Sequence, residues 1–257
     1  MGLQYRLPSV VKCRMNFPIR QVGWRTEQRQ EQAEMSLAGK KIIITGAAGG
    51  LGAGVARVAY GQGAEVVLLD VIDDFTSELG QAYSVDLLDP EAVQRVFEVI
   101  GDFDVLANIA GGFDMGPSVD GTEDEFWQRM FDINVTTLRR VLKVAVPVLV
   151  GRGGGGIINV GAVGALHGSA HMSAYQASKA AVMRLTESLS EEVKALGVNV
   201  NAVLPSVIDT PSNRSAMPDA DFELWVSPTD LGEVICFLGS DAAKAVHGAL
   251  VPVRGLV

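Results

Sequence analysis

Tyr175 and Lys179, in the run YQASK, stand four residues apart. On a helix that spacing puts both side chains on one face. A free tyrosine titrates near pH ~10 and exchanges its proton poorly at neutral pH. An ammonium beside it favours the phenolate and lowers that pKa. The pair therefore suits proton transfer to or from a carbonyl oxygen. A Tyr-x-x-x-Lys spacing also occurs on plain solvated helix faces, so its meaning depends on what accompanies it.

A glycine-rich turn does accompany it. TGAAGGLG, Thr45 to Gly52, follows the β-branched run KIIIT and opens a helical stretch. Gly46, Gly50 and Gly52 let the backbone turn sharply and approach a pyrophosphate. The N–H groups at the helix start, with Leu51 among them, then face that anion. Asp70 closes the next apolar run, EVVLLD, 18 residues after Gly52. A carboxylate at that point accepts hydrogen bonds from ribose hydroxyls and repels a 2′-phosphate. No Lys or Arg follows it in VIDDF. Together these features predict a nicotinamide dinucleotide site that takes NAD rather than NADP. In that setting Tyr175 handles a proton while the cofactor handles a hydride.

These residues need a scaffold, and the hydrophobic pattern supplies one. Apolar runs at Lys41–Thr45, Glu65–Asp70, 82–85, Val105–Asn108, 157–160, 198–204 and 249–253 read as strands. Helical patterns fall at 51–61, Pro90–Ile100, 124–150, 175–196 and 229–238. Strands that are apolar throughout and separated by helices imply a parallel sheet covered on both faces. The expected fold is α/β: a Rossmann-type, doubly wound, mostly parallel seven-stranded sheet in a single domain.

The chain has 257 residues, 48% of them hydrophobic and 20% charged, which excludes intrinsic disorder. Residues 1–35 carry six basic and three acidic side chains, whereas residues 36–257 carry 15 against 27. An acidic main domain argues against nucleic acid as a partner. No stretch of ~18 uncharged apolar residues is present, so no membrane span is expected. Two cysteines provide no disulfide framework and fit a reducing, cytoplasmic compartment. Residues 1–35 read as an N-terminal extension, disordered or upstream of a start at Met35; their arginines also allow a targeting role. The domain is placed at 36–257.

Taken together, the sequence resembles the short-chain dehydrogenase/reductase family over residues 37–255. The resemblance rests on TGAAGGLG, Asp70, Val85-Asp86-Leu87, Asn108-Ile109-Ala110-Gly111, Asn134 in FDINV, YQASK and Pro205 through Thr210-Pro211. It implies that Tyr175 is the proton donor or acceptor and that Lys179 tunes it and binds the ribose. Asn134 would hold a water in the relay to Lys179. It also implies a cofactor site built from Gly46, Gly50, Leu51, Gly52, Asp70, Asp86, Leu87, Asn108, Ala110, Gly111, Tyr175, Lys179, Pro205, Val207 and Thr210. Asp86 would face the adenine. A small-molecule substrate would sit among Phe113, His167, Met172 and residues 213–225. A homodimer or homotetramer is expected, with helices 124–150 and 175–196 at the interface.

One position departs from the family. Thirteen residues before the tyrosine, where the family carries a serine that polarises the substrate carbonyl, stands Ala162. Losing such a donor ordinarily costs on the order of 2.7–4 kcal/mol of transition-state stabilisation. Ser169 and Ser173 lie in the same loop; Ser173 also reads as a helix N-cap. His167 and His171 read as solvated loop residues, not metal ligands. Quinonoid dihydropteridine reductases share the missing serine, and similarity to them extends to a short link after Asp70, Ile109-Ala110-Gly111-Gly112-Phe113 and residues 203–225. The resemblance therefore implies hydride transfer to a carbonyl or to an activated quinonoid acceptor. Two rival readings are a non-catalytic NAD-binding sensor or assembly subunit, and an ordinary alcohol or ketone dehydrogenase with a substitute hydroxyl.

Overall fold

The computed structural model describes residues 36–257. The expectations for residues 1–35 lie outside the described residues. Seven strands form one sheet: β1 (Lys41–Thr45), β2 (Glu65–Asp70), β3 (Gln81–Ser84), β4 (Val105–Asn108), β5 (Gly155–Val160), β6 (Val198–Pro205) and β7 (Leu250–Val253). Their spatial order is β3-β2-β1-β4-β5-β6-β7. Every pairing is parallel, so "mostly parallel" is corrected to wholly parallel. The central strands are uniformly apolar because helices cover both of their faces.

The helices are α1 (Gly50–Gly61), α2 (Pro90–Ile100), α3 (Asp124–Phe131), α4 (Thr137–Gly151), α5 (Ser173–Val193), α6 (Pro211–Ala216) and α7 (Pro228–Gly239). Two buried layers result. One packs α1 and α7 against Ile42, Ile44, Val66 and Leu68. The other packs α2, α4 and α5 against Ile43, Val67, Leu106 and Ile157. The alternation of Ile42, Ile43 and Ile44 between the layers follows from the two-residue strand period. Glycine brings α1 and α7 close: a Cβ on Gly54 would stand 2.4 Å from Pro228 Cβ.

A capping side chain followed by proline sets three of these seven helix starts. Asp89 accepts from Glu91 N at 2.9 Å and Ala92 N at 3.1 Å, ahead of Pro90 in the first turn of α2. Ser227 caps α7 in the same way, accepting from Asp230 N at 3.0 Å. By contrast, Ser173 is the first residue of α5 and not its cap; Met172 holds the cap position and its side chain makes no capping bond. The single helix expected over 124–150 is interrupted. Residues Asp132–Thr136 form a π-helical turn between α3 and α4. Apolar spacing cannot reveal one inserted residue per turn, yet such bulges recur where function needs a side chain re-aimed. Asn134 lies within this one.

β1 sits between β2 and β4, so the chain reverses direction across the sheet at β1. In open parallel sheets the crevice beyond the carboxyl ends of the strands at that point takes ligands. No helix among the described residues is long and apolar enough to cross a membrane.

Candidate active site

The crevice begins at the turn between β1 and α1. Gly46 has φ +65°, and a Cβ there would stand 2.8 Å from the backbone of Ala110. A Cβ on Gly52 would stand 2.2 Å from Gly46 O, and one on Gly50 2.9 Å from Thr210 Cγ2. Three chain segments thus meet at van der Waals distance only because these positions lack side chains. Thr45, buried at the end of β1, accepts from Ile109 N at 3.0 Å and Ala110 N at 3.1 Å. That hydroxyl ties β1 to the loop after β4. A threonine ending an apolar strand was its sole signal in the sequence.

Gly49 precedes α1 with no side-chain cap. The first-turn N–H groups of α1, those of Gly50, Leu51 and Gly52, therefore remain available to an anion. Asp70, at the end of β2, turns back over the same turn. Its Oδ2 accepts from Ala48 N at 2.9 Å and its Oδ1 from Ile72 N at 3.3 Å. Asp86 is exposed beyond β3, where Oδ1 accepts from Leu88 N at 2.8 Å. Leu87 points into the core.

On the other side of the crevice, α5 lies beside β5 and β6. Lys179 is buried and donates from Nζ to Val160 O at 3.0 Å. Burial without a counter-charge pushes its pKa down to about 8. Tyr175 is half-buried, and its ring meets Phe113 edge-on, with centroids 4.9 Å apart and planes at 88°. Burial pushes the phenol up to about 12. The expected lowering of this pKa is not what burial produces, and the Lys179 ammonium donates to a backbone carbonyl instead.

Asn134 is 2% exposed and its carboxamide is fully engaged. Its Oδ1 accepts from Gly112 N and its Nδ2 donates to Gly112 O, both at 3.0 Å. Nδ2 also reaches Ser178 Oγ at 3.1 Å, and Ser178 donates to Tyr175 O at 2.7 Å. The π turn therefore aims Asn134 to clamp the strand-four loop and to brace the first turn of α5. Ser178 is a link that the sequence reading passed over, because a serine inside a helix carries no distinctive signal. Gly111 borders both groups: a Cβ there would lie 2.7 Å from Asn134 Oδ1 and 3.1 Å from Lys179 Nζ.

Beneath these groups runs a buried polar chain. Asn108 donates to Asn159 at 2.9 Å, Asn159 donates to Thr186 at 2.9 Å, and Thr186 donates to Val182 O at 2.9 Å. It ties β4, β5 and α5 together directly below Lys179. Pro205 ends β6 in the core, Val207 O accepts from Val226 N at 3.0 Å, and Thr210 caps α6 through Asn213 N at 3.3 Å. Thr210 is also the residue lying over Gly50. Ala162 is buried with Ala165, Met183 and Leu204, and Tyr175 packs against that cluster. Ala162 and Tyr175 thus adjoin one apolar cluster.

Residues 40–221 match the family profile described as short chain dehydrogenase. The chain belongs to the short-chain dehydrogenase family. It is 30% identical over 227 residues to D-xylose 1-dehydrogenase of Caulobacter vibrioides, covering 84% of this chain and 85% of that one. Among solved structures, carveol dehydrogenase from Mycobacterium avium in complex with NAD aligns with a TM-score of 0.75 at 26% identity, covering 85% of this chain and 97% of the other. A Beutenbergia cavernae protein assigned as an NAD(P)-dependent gluconate 5-dehydrogenase, with NADP at low occupancy, aligns at 0.79 and 28% identity, covering 86% and 98%. As a family member this chain is an oxidoreductase on its fold and its sequence. A nicotinamide dinucleotide also fits on geometry, because the helix after the glycine turn starts without a side-chain cap and leaves the N–H groups of Gly50, Leu51 and Gly52 to a pyrophosphate.

Proposed function

We propose that this chain is an NAD(H)-dependent oxidoreductase in which Tyr175 gives or takes the proton at the substrate oxygen. The observation that carries the reading is the convergence of two things on one crevice: the Cβ-free cradle below Asp70, and Tyr175 with Lys179 beside Gly111. A bound nicotinamide supplies or accepts the hydride. The first-turn N–H groups of α1 hold the pyrophosphate, and Asp70 holds the adenosine ribose. Lys179 is placed to hold the second ribose, and Asn134 with Ser178 keeps α5 in register with the strand-four loop. With its pKa held up to about 12, Tyr175 is a phenol at neutral pH and acts as the donor when a carbonyl is reduced.

Two features support NAD over NADP. The Asp70 carboxylate occupies the ribose position, and the residues after it, Val71 and Ile72, are exposed and uncharged. A 2′-phosphate would meet a negative charge with no cation in residues 71–74 to offset it.

A second reading concerns the acceptor. Ala162 gives no hydrogen bond to a developing oxyanion, so an activated quinonoid acceptor, a quinonoid dihydropterin among them, suits this site better than an unactivated ketone. The link between β2 and β3, residues 71–80, contains no helix, in keeping with the short connection on which that resemblance partly rests. Stopped-flow oxidation of NADH and NADPH against ketones, quinones and quinonoid dihydropterin tests both readings. The expected result is faster turnover with NADH and with the activated acceptors. Nucleotide binding without hydride transfer to any of them would instead favour a non-catalytic sensor.

A further inference from the structure

The crevice has an apolar mouth. Phe113 and Met115 follow β4, Leu166 follows β5 and Met217 follows β6, three strands that are neighbours in the sheet. Their exposures are 54%, 57%, 42% and 38%. They give the carboxyl ends of three adjacent strands apolar side chains on which the apolar face of a ligand can pack.

Several charged and amide side chains of the same loops already have partners. Arg214 is the one Lys or Arg in residues 111–123, 161–172 and 206–225. It makes a two-point pair with Asp209 at 2.5 and 2.7 Å and lies over the Phe222 ring. Asp114 is paired with Arg129 at 2.8 Å. Asn213 donates to Ile208 O at 2.8 Å, and Gln176 joins Ser169 N to Gly164 O. An incoming carboxylate or phosphate finds no unpaired guanidinium in these three loops.

Phe113 is also held in place. Asn134 clamps both backbone polar groups of Gly112, and a Cβ on Gly112 would stand 2.6 Å from Ile133. Three residues on, Gly116 N donates to His171 O at 2.9 Å, where His171 adopts φ +64°. A non-glycine residue in that region carries strain that its surroundings must offset. The loop is thus fixed at both ends, with the Phe113 ring presented to the space in front of Tyr175.

We propose that the substrate is an uncharged, ring-bearing ketone, quinone or alcohol whose apolar face packs on Phe113, and that Phe113 sets this specificity. The inference rests on the oxidoreductase reading above but is narrower than it. Ring compounds are accordingly expected to be preferred to sugars, polyols and sugar acids, although relatives named for such substrates share the fold.

The test uses the full chain with NADH or NAD and a matched panel: substituted cyclohexanones, 1-tetralone and a naphthoquinone against D-xylose and gluconate. The expected result is kcat/KM at least about tenfold higher for the ring substrates. Phe113→Ala should raise their KM roughly tenfold, the scale of a lost aromatic contact plus its burial. Phe113→Trp should retain it, and NADH affinity by nicotinamide fluorescence should be unchanged in both. Preference for the sugars, or an equal loss on every substrate in Phe113→Ala, would overturn the inference and leave the oxidoreductase reading intact. The same ligands are titrated into the NADH complex by fluorescence. Selective binding of ring compounds without turnover would uphold the substrate class while removing the catalytic reading. Neither binding nor turnover would remove both.

Discussion

The two sides of the crevice are built by different means. Around β1 and α1 the working parts are backbone: Gly46, Gly50 and Gly52 make room, and the open end of α1 presents N–H groups. Around β5 and α5 they are side chains, namely Tyr175, Lys179, Asn134 and Ser178, each held by a bond or ring contact from another segment. The first side cannot change residue type without a collision. The second side is set by which buried side chains stand there, Ala162 among them. Binding the cofactor is a problem of close approach, whereas choosing and activating a substrate is a problem of which atoms face the cavity.

The sharpest way to break this contrast is Tyr175→Phe. It keeps the ring and removes the proton, so the rate should fall by ~10²–10⁴-fold with NADH affinity nearly unchanged. Steady-state kinetics beside a fluorescence titration checks it; a rate near wild type would place the proton elsewhere. The opposite experiment is Gly52→Ala. Its Cβ would collide with Gly46 O, so it should cost roughly 1–3 kcal/mol of stability and weaken NADH binding. An unaltered urea midpoint and an unaltered Kd would show that the cradle is looser than its distances indicate.

Ala162→Ser introduces a hydroxyl into the cluster against which Tyr175 packs. If a simple ketone is the natural acceptor, turnover on it should rise by about tenfold or more. With an activated acceptor, the same change should leave the rate flat. Parallel assays on a cyclic ketone and a quinone separate the two results. Asp70→Asn removes a charge but keeps a hydrogen-bonding group, and it should narrow the NADH-to-NADPH affinity ratio by about tenfold, equivalent to about 1.4 kcal/mol. Calorimetric titration with each nucleotide decides the matter, and an unchanged ratio would take cofactor choice away from Asp70.

A separate effect is on pH dependence. Lys179 has a folded pKa near 8, below the ordinary lysine value of 10.5. Below about pH 8 it is charged in both folded and unfolded chains, and its burial penalty is fully felt. Between about 8 and 10.5 the unfolded chain binds more protons, so stability rises with pH. Tyr175 acts oppositely, its contribution being present below about 10 and lost as pH climbs through about 12. Urea midpoints at pH 7 and 9.5 should therefore rise in the wild type and stay flatter in Lys179→Met. Parallel curves would mean that Lys179 is better solvated than its burial implies.

Much of the site was legible as residue types. TGAAGGLG, Asp70 and YQASK were legible as a glycine turn between a strand and a helix, an acid at a strand end and a pair on one helix face, because each is a local pattern of consecutive or regularly spaced residues. Strands and helices were legible for the same reason: their periods of two and 3.6 are written along the chain. The misreadings share an opposite cause. The π turn at Asp132–Thr136 hid inside a continuous apolar rhythm. The roles of Ser178 and Thr45 depend on partners 44 and 64 residues away.

The sequence by itself determined the element order, the glycine cradle, the acid at Asp70 and the absence of a hydroxyl at Ala162. These follow from sterics and side-chain chemistry that hold wherever the residues are placed. Only the tertiary structure decided what surrounds them. It put Phe113 against Tyr175, spent the Asn134 carboxamide on Gly112, and aimed Lys179 at Val160 O. It also set the direction of the Tyr175 pKa, since desolvation depends on every neighbour that excludes water and not on the ammonium four residues along the helix.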